Sequence, residues 1–416
     1  MGFIKYGKGV MRRVSTVCFV CFALLVLGAG VQVSAAADWP GFRGPARDGI
    51  APDKRINKNW NQWPPRLLWK QSLGDKGYAA PAVSSNRLYI VDHAGSNDIV
   101  RALDVLNGRE VWRYSYFDAA VNKQGFTVST PLIHDNKVYV FSRLGKVLCL
   151  SADSRALLWQ RAVVAEYKGI KPPWNYAMSP VIDDGKLIFC PGGTNAAVVA
   201  LDPLSGKTIW TGGGSAQASY ATPVVATLKG HRQYLLFNVP GLMGVDAGDG
   251  RVLWELPWKT RFGGKKGPTP VMVGDRIFIC TTEGGATGLI ELADGAPKVV
   301  WQHQLMQEHF PAPVYYHGRI YGSSDPKFLI CLDPQSGEVL WKEPAGAYAS
   351  VIGVDDTVIY LSGSTGELIM LDATSPAYKE LGRCKPLGGT SWTAPIIADG
   401  RLYVRNKEEI ACLDLR

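Results

Sequence analysis

The stretch Ala200-Leu201-Asp202-Pro203-Leu204-Ser205-Gly206-Lys207-Thr208-Ile209-Trp210 constrains this chain more than any other. It reads as a strand end, a tight turn and the start of a second strand. Asp202 bonds its own turn, and Gly206 supplies the positive φ of a bulged hairpin. The pattern returns as Ala102-Leu103-Asp104…Gly108…Trp112, as Gly244-Val245-Asp246…Gly250…Trp254, and as Cys331-Leu332-Asp333…Gly337…Trp341. Looser copies end at Trp159 and Trp301, and one without its tryptophan runs from Met370 to Leu381.

Each copy is preceded by a small residue, a proline and aliphatics. The prolines are Pro81, Pro131, Pro180, Pro223, Pro270, Pro313 and Pro395, with Val351 in the proline's place in one copy, at intervals of 38 to 50 residues. A polar turn and an alternating strand such as Lys137-Val138-Tyr139-Val140-Phe141 come next. Eight openings and eight closing strands predict an all-β chain: an eight-bladed β-propeller of four-stranded antiparallel blades. One blade has two apolar faces and buries them only against neighbours, so the blades close into a ring. Forty-six glycines and 26 prolines spread along the chain suit many short strands and turns, not an alternating α/β fold.

Leu67-Leu68-Trp69 looks like the outer strand of a blade that lacks its other three. Those three stand at the far end, as Pro395-Ile396-Ile397, Arg401 to Val404 and Ile410 to Asp414. The N-terminal strand is therefore expected to pair within the C-terminal blade. Residues 66–416 form the propeller, residues 38–65 an extended, aromatic, Gly/Pro-rich segment, and residues 1–37 a signal peptide. Lys5, Lys8, Arg12 and Arg13 precede an apolar run ending in Ser34-Ala35-Ala36-Ala37, the order of a secretory leader. The alternative is a retained anchor. Cleavage removes four basic side chains and no acid, so the net charge falls from +9 to +5, too mild a value to indicate nucleic acid. No stable membrane insertion is expected afterwards, and the location is exported: periplasm, cell envelope or the medium.

These residues resemble the pyrroloquinoline-quinone-like (quinoprotein-type) propeller repeat, Ala-x-Asp-x-x-Thr-Gly-Lys-x-x-Trp. Residues 200–210 match it with Ser205 in the threonine's place, and Ser154-Arg155 replaces the usual pair ending in glycine. The resemblance implies that Trp69, Trp112, Trp159, Trp210, Trp254, Trp301 and Trp341 dock blade on blade. Quinoprotein dehydrogenases of this superfamily are longer, with adjacent cysteines over the quinone and a calcium held by a Glu/Asn pair. This chain has no Cys-Cys pair. It is closer to the outer-membrane assembly factor B-like group, which implies a cofactor-free, protein-binding envelope scaffold. It departs from that group in lacking a lipoprotein cysteine after the apolar run.

In such a ring the loops from each outer strand to the next inner strand gather on one face. Aromatics stand just before several inner strands: Tyr78, Tyr176, Tyr220, Phe310, Tyr348 and Trp392. Trp174, Trp258 and Phe262 stand nearby, with a basic set of Lys259, Arg261, Lys265 and Lys266. An aromatic funnel with a basic lip suits an extended peptide, a sugar polymer or a flat anion. The alternative is that the rings only plug the channel.

His303, Glu308 and His309 match no zinc spacing, so no metal is assigned. No Gly-x-Ser-x-Gly elbow or triad is present, so no catalytic residue is named. Six cysteines follow residue 37. Five of them fall at matching strand positions, too far apart to pair, and read as buried thiols; Cys384, in a loop, is the candidate reactive one. The leading expectation is a non-enzymatic scaffold, monomeric or within a complex, that binds a protein or envelope polymer. Its competitors are a short dehydrogenase using pyrroloquinoline quinone and calcium, and a carbohydrate-binding module.

Overall fold

A computed structural model describes residue 2 and residues 38–119, 125–260, 267–281, 285–306, 312–324 and 327–416. Eight sheets follow one another around a ring. Blade 1 is built from Ala82–Ser84, Arg87–Ala94, Asn97–Asp104 and Glu110–Phe117, innermost first. Blades 2 to 7 repeat that order over residues 132–161, 181–212, 224–257, 271–303, 314–344 and 350–384. Inner strands run from a face carrying the long inter-blade loops to a face carrying the Leu-Asp turns. We call these the loop face and the turn face. Among the described residues the single helix is Val163–Glu166, in the loop between blades 2 and 3.

Blade 8 joins the two chain ends. Arg66–Ser72 pairs antiparallel with Glu409–Asp414, with Trp69 opposite Cys412. Arg401–Arg405 and Ile396–Ala398 complete the sheet toward the channel. The ring is sealed by the Trp69 strand, as that orphan tryptophan strand predicts.

Glycine and tryptophan recur together in the sequence because they meet in space, one blade apart. The indole of Trp159 in blade 2 lies on Gly206 of blade 3, where a Cβ would come within 2.7 Å of the ring. Trp69 lies on Gly108, Trp210 on Gly250 and Trp301 on Gly337 in the same way. Each of these glycines also has the positive φ that its turn requires, +69° at Gly206. The indole N–H groups reach across too: Trp69 donates to Val105 O at 2.9 Å, Trp112 to Ala152 O at 2.9 Å and Trp159 to Pro203 O at 3.0 Å. Trp254 differs, donating to Gln233 Oε1 of its own blade at 2.8 Å. Arg155, which replaces the glycine in blade 2, still adopts φ +58°.

A second set of links runs along the inner strands of blades 2 to 5. The residue before the opening proline accepts, through its hydroxyl, the N–H of its counterpart one blade back. Thr130 N donates to Ser179 Oγ at 3.0 Å, Ser179 N to Thr222 Oγ1 at 3.0 Å, and Thr222 N to Thr269 Oγ1 at 3.1 Å. Blades 6, 8 and 1 carry Ala312, Ala394 and Ala80 at this position, and the chain of hydroxyls stops.

Residues 38–53 hold that other side. Trp39 exchanges both backbone hydrogen bonds with Val83 of blade 1, at 2.9 and 2.8 Å. Pro40 O accepts from Ile133 N of blade 2 at 2.7 Å, and Arg47 donates to Ile182 O of blade 3. Arg43 Nη2 donates to Pro313 O of blade 6 at 2.9 Å. Ile50–Ala51 adds a short parallel strand to Ser350–Val354 of blade 7, and Asp53 accepts from Gly400 N of blade 8 at 2.6 Å. Arg43, Gly44, Arg47 and Gly49 all have positive φ, so the segment coils across the turn-face end of the channel. Below we call it the strap.

Candidate functional site

The strap turns the channel into a cavity. Its floor is Trp39, Phe42, Arg43 and Gly49; its walls are inner-strand residues such as Ile352 and Ile396; its mouth, on the loop face, is Tyr78, Trp174, Tyr220 and Trp392. The cavity holds about 160 Å³.

The mouth is built of stacked pairs. Tyr78 and Trp392 stack at 5.0 Å and Trp174 and Tyr220 at 5.6 Å. Tyr348 meets Trp392 edge-on at 5.8 Å. Tyr220 Oη accepts from Trp174 N at 3.0 Å, which fixes that pair. Burial pushes the Tyr78 phenol up to about 12, so it stays neutral at physiological pH.

The charge in the cavity comes from arginine. Arg43 and Arg143 are the charged residues of the lining, and no carboxylate joins them among the described residues. Arg43 is spent on structure: besides Pro313 O, it donates to Asp48 O at 2.5 Å and Arg47 O at 3.3 Å. Arg143, in the turn between the second and third strands of blade 2, is 4% exposed. Its Nη2 donates to Trp174 O, while its Nε has no partner. Burial lowers its pKa to about 10, so it remains cationic at neutral pH, with Asp98 and Asp118 acting on it through space. Ser350, at the proline-free opening, is 1% exposed, lines the same cavity, and its Oγ is also without a partner.

The structure thus brings Tyr78, Trp174, Tyr220 and Trp392 to one mouth, with Tyr348 behind Trp392. It does not bring Tyr176 there. Asn175 turns the chain with φ +62°, and Tyr176 points into the core between blades 2 and 3, edge-on to Phe141, donating to Pro191 O at 2.8 Å. Trp258 is likewise buried, with its N–H on Ala286 O at 3.3 Å. Lys259 is exposed. Phe310, Arg261, Phe262, Lys265, Lys266, Glu308 and His309 lie outside the described residues. Sequence reasoning missed Arg143, which belongs to no motif, and Ser350, which holds the position before the opening proline. The one available signal was Val351 in the proline's place.

Beside the mouth, blade 1 buries a polar cluster. His93 Nδ1 lies 2.7 Å from Asp98 Oδ1, its Nε2 2.9 Å from Gly95 O, and Tyr116 Oη donates to Asp98 Oδ2 at 3.0 Å. Phe126 stacks on the imidazole at 3.9 Å. Burial raises the Asp98 carboxyl to about 6. Among the described residues no group of histidine, cysteine and carboxylate side chains is arranged to hold a metal. All six described cysteines are free thiols. Cys384, expected in a loop, instead ends the outer strand of blade 7; it is half-buried, and burial pushes its thiol up to about 12.

The loop face around blades 1 to 3 also carries exposed apolar side chains. Phe117 is 61% exposed, Leu144 41% and Ile170 56%. Phe117 ends the outer strand of blade 1, where one long inter-blade loop begins, and Ile170 sits in the other, after blade 2. Lys146 holds the first two together, donating to Phe117 O while Leu144 N donates to Asp118 Oδ2 at 3.4 Å.

Eight four-stranded blades with a Gly-Trp repeat, a sealed ring and a plugged channel define a β-propeller of the pyrroloquinoline-quinone-like class. Within that class, the chain belongs to the outer membrane protein assembly factor BamB family, whose model matches residues 60–125 and 96–343. An outer membrane protein assembly factor BamB of Moranella endobia is 22% identical over 381 residues, covering 85% of this chain and 79% of its own. The crystal structure of BamB from Moraxella catarrhalis has a TM-score of 0.62 at 16% identity, covering 84% of this chain and 99% of that one. A quinohemoprotein alcohol dehydrogenase of Pseudomonas putida HK5 has a TM-score of 0.64 at 15% identity, covering 91% and 80%. At these identities the two solved structures speak for the fold alone.

Proposed function

We propose that this chain is an exported, non-enzymatic scaffold of the cell envelope that binds a polypeptide through its loop face. One observation carries the reading. The apolar side chains of Phe117, Leu144 and Ile170 stand in water beside an aromatic mouth, on the face formed by the longest loops. Grouped exposed apolar residues with a polar surround are the usual mark of a protein-contact surface. Relatives named as outer membrane protein assembly factors support a protein over a sugar polymer as the partner. They also support an envelope location. Among the described residues no helix is long and apolar enough to cross a membrane.

The cofactor-free form of the reading rests on fit. A cavity of about 160 Å³ is smaller than the roughly 300–1,000 Å³ of ordinary small-molecule sites. Its described lining offers calcium no carboxylate, and calcium takes about six to eight oxygen ligands. Pyrroloquinoline quinone with calcium is expected to leave the melting temperature unchanged.

The test is site-specific photocrosslinking in cells. A photoreactive residue at Phe117 or Ile170 is expected to capture an envelope protein. One at Leu106 or Leu204, equally exposed at 65% on the turn face, is expected to capture none. Capture from the turn face alone overturns the reading.

A further inference from the structure

The cavity beneath the mouth joins a mainly apolar lining to a buried arginine and a buried serine. Its walls are aliphatic and aromatic, with Ala80, Val128, Ala177 and Val351 among them. Within those walls stand two buried hydrogen-bonding groups with nothing to bond, Arg143 Nε and Ser350 Oγ. A buried hydrogen-bonding group left unmade is costly, and more so when charged. Neither group repays that cost within the fold. Arg43 makes the contrast, since backbone carbonyls occupy its donors in the same cavity. Asp98 and Asp118 reach Arg143 only through space; neither is hydrogen-bonded to it, and both lie outside the lining.

Size selects among anions. The cavity accommodates one or two side chains and no more. Its occupant is therefore the end of a larger molecule whose remainder lies on the aromatic rim. Resting on the reading that the loop face binds a polypeptide, we infer that the cavity receives that polypeptide's C-terminal residue: the carboxylate taken by Arg143 and Ser350, and an apolar last side chain packed between the strap and the inner strands. Capture of a chain-terminal carboxylate is a recurrent mode of peptide recognition.

The test uses the full-length protein and fluorescence polarisation. The probe is a labelled hexapeptide pool, randomised except for a C-terminal leucine, prepared as free acids and as amides. The free-acid pool is expected to bind roughly tenfold or more tightly than the amide pool, the loss of one charge-assisted hydrogen bond. Arg143→Gln is expected to abolish the difference, and Ser350→Ala to reduce it severalfold. The acid-against-amide comparison is made on unaltered protein, so it stands even where a variant folds poorly. Equal binding of acid and amide, or no binding of either, overturns the inference. So does competition by N-acetyl-leucine at the peptide's own affinity, which marks a small-molecule site. Crosslinks from Phe117 together with equal acid and amide binding remove this inference and leave the loop-face reading standing. Acid-selective binding with crosslinks from the turn face alone does the reverse.

Discussion

Blades 2 to 5 are fastened at the channel by their own hydroxyl groups, whereas blades 6, 7, 8 and 1 are fastened by a segment from outside the repeats. In the first half Ser179, Thr222 and Thr269 each take the N–H of the blade before. In the second half alanine stands at three of the four equivalent positions, and the strap supplies hydrogen bonds to all four blades. The two overlap at blades 2 and 3, where Pro40 and Arg47 reach in. A ring that repeats in its backbone is thus uneven in what ties it together. Buried N–H groups must be satisfied somewhere. The hydroxyls take the N–H of the residue before each opening proline, whereas the strap bonds other backbone atoms, among them Val83 N, Gly353 N and Gly400 N.

The largest expected effect comes from breaking the strap. Trp39 is 2% exposed and pairs with Val83, so Trp39→Ala is expected to cost about 3–5 kcal/mol in a denaturant titration. Amide exchange in the variant is expected to rise in the inner strands of blades 1, 7 and 8 and to leave Ser179 protected. Uniform loosening around the ring breaks the comparison. A smaller effect, about 1–3 kcal/mol, is expected of Thr222→Val, which strands the N–H of Ser179 without changing side-chain size. Its exchange signature is the opposite one, confined to blades 3 and 4.

The smallest effect concerns blade 1. The Asp98 carboxyl is raised to about 6 in the fold, above its ordinary 3.8. Its contribution to stability is fully present below about pH 4 and fades as pH rises through about 6. Asp98→Asn is expected to flatten the stability-against-pH curve in that window. An unchanged slope means that the carboxyl is not the titrating group.

Blade number and ring closure were legible in the chain because the repeat encodes its own contacts. Gly206 and Trp159 recur at fixed spacing since one lies on the other across a blade boundary. The lone Trp69 strand announced its partner by being alone. The mouth was legible in part: Tyr78, Tyr220 and Trp392 stand where the register puts them, just before inner strands. Tyr176 does not, because the reversal at Asn175 is a backbone event that no apolar period records. The strap had no address for the same reason. Its shape comes from positive φ at Arg43 and Arg47, residues that give no sign of it in sequence. Arg143 was hidden because it stands outside the repeat, and Ser350 because its hydroxyl, unlike those of Ser179, Thr222 and Thr269, takes no N–H of the blade before.

The clasp between Arg66 and Asp414 spans 348 positions of sequence. The strand Arg66–Ser72 therefore waits, unpaired, until residues 409–414 have emerged. Closing so long a loop costs entropy that no local contact returns beforehand. Trimming the final six residues accordingly takes away the keystone of the arch, and every sector feels its loss.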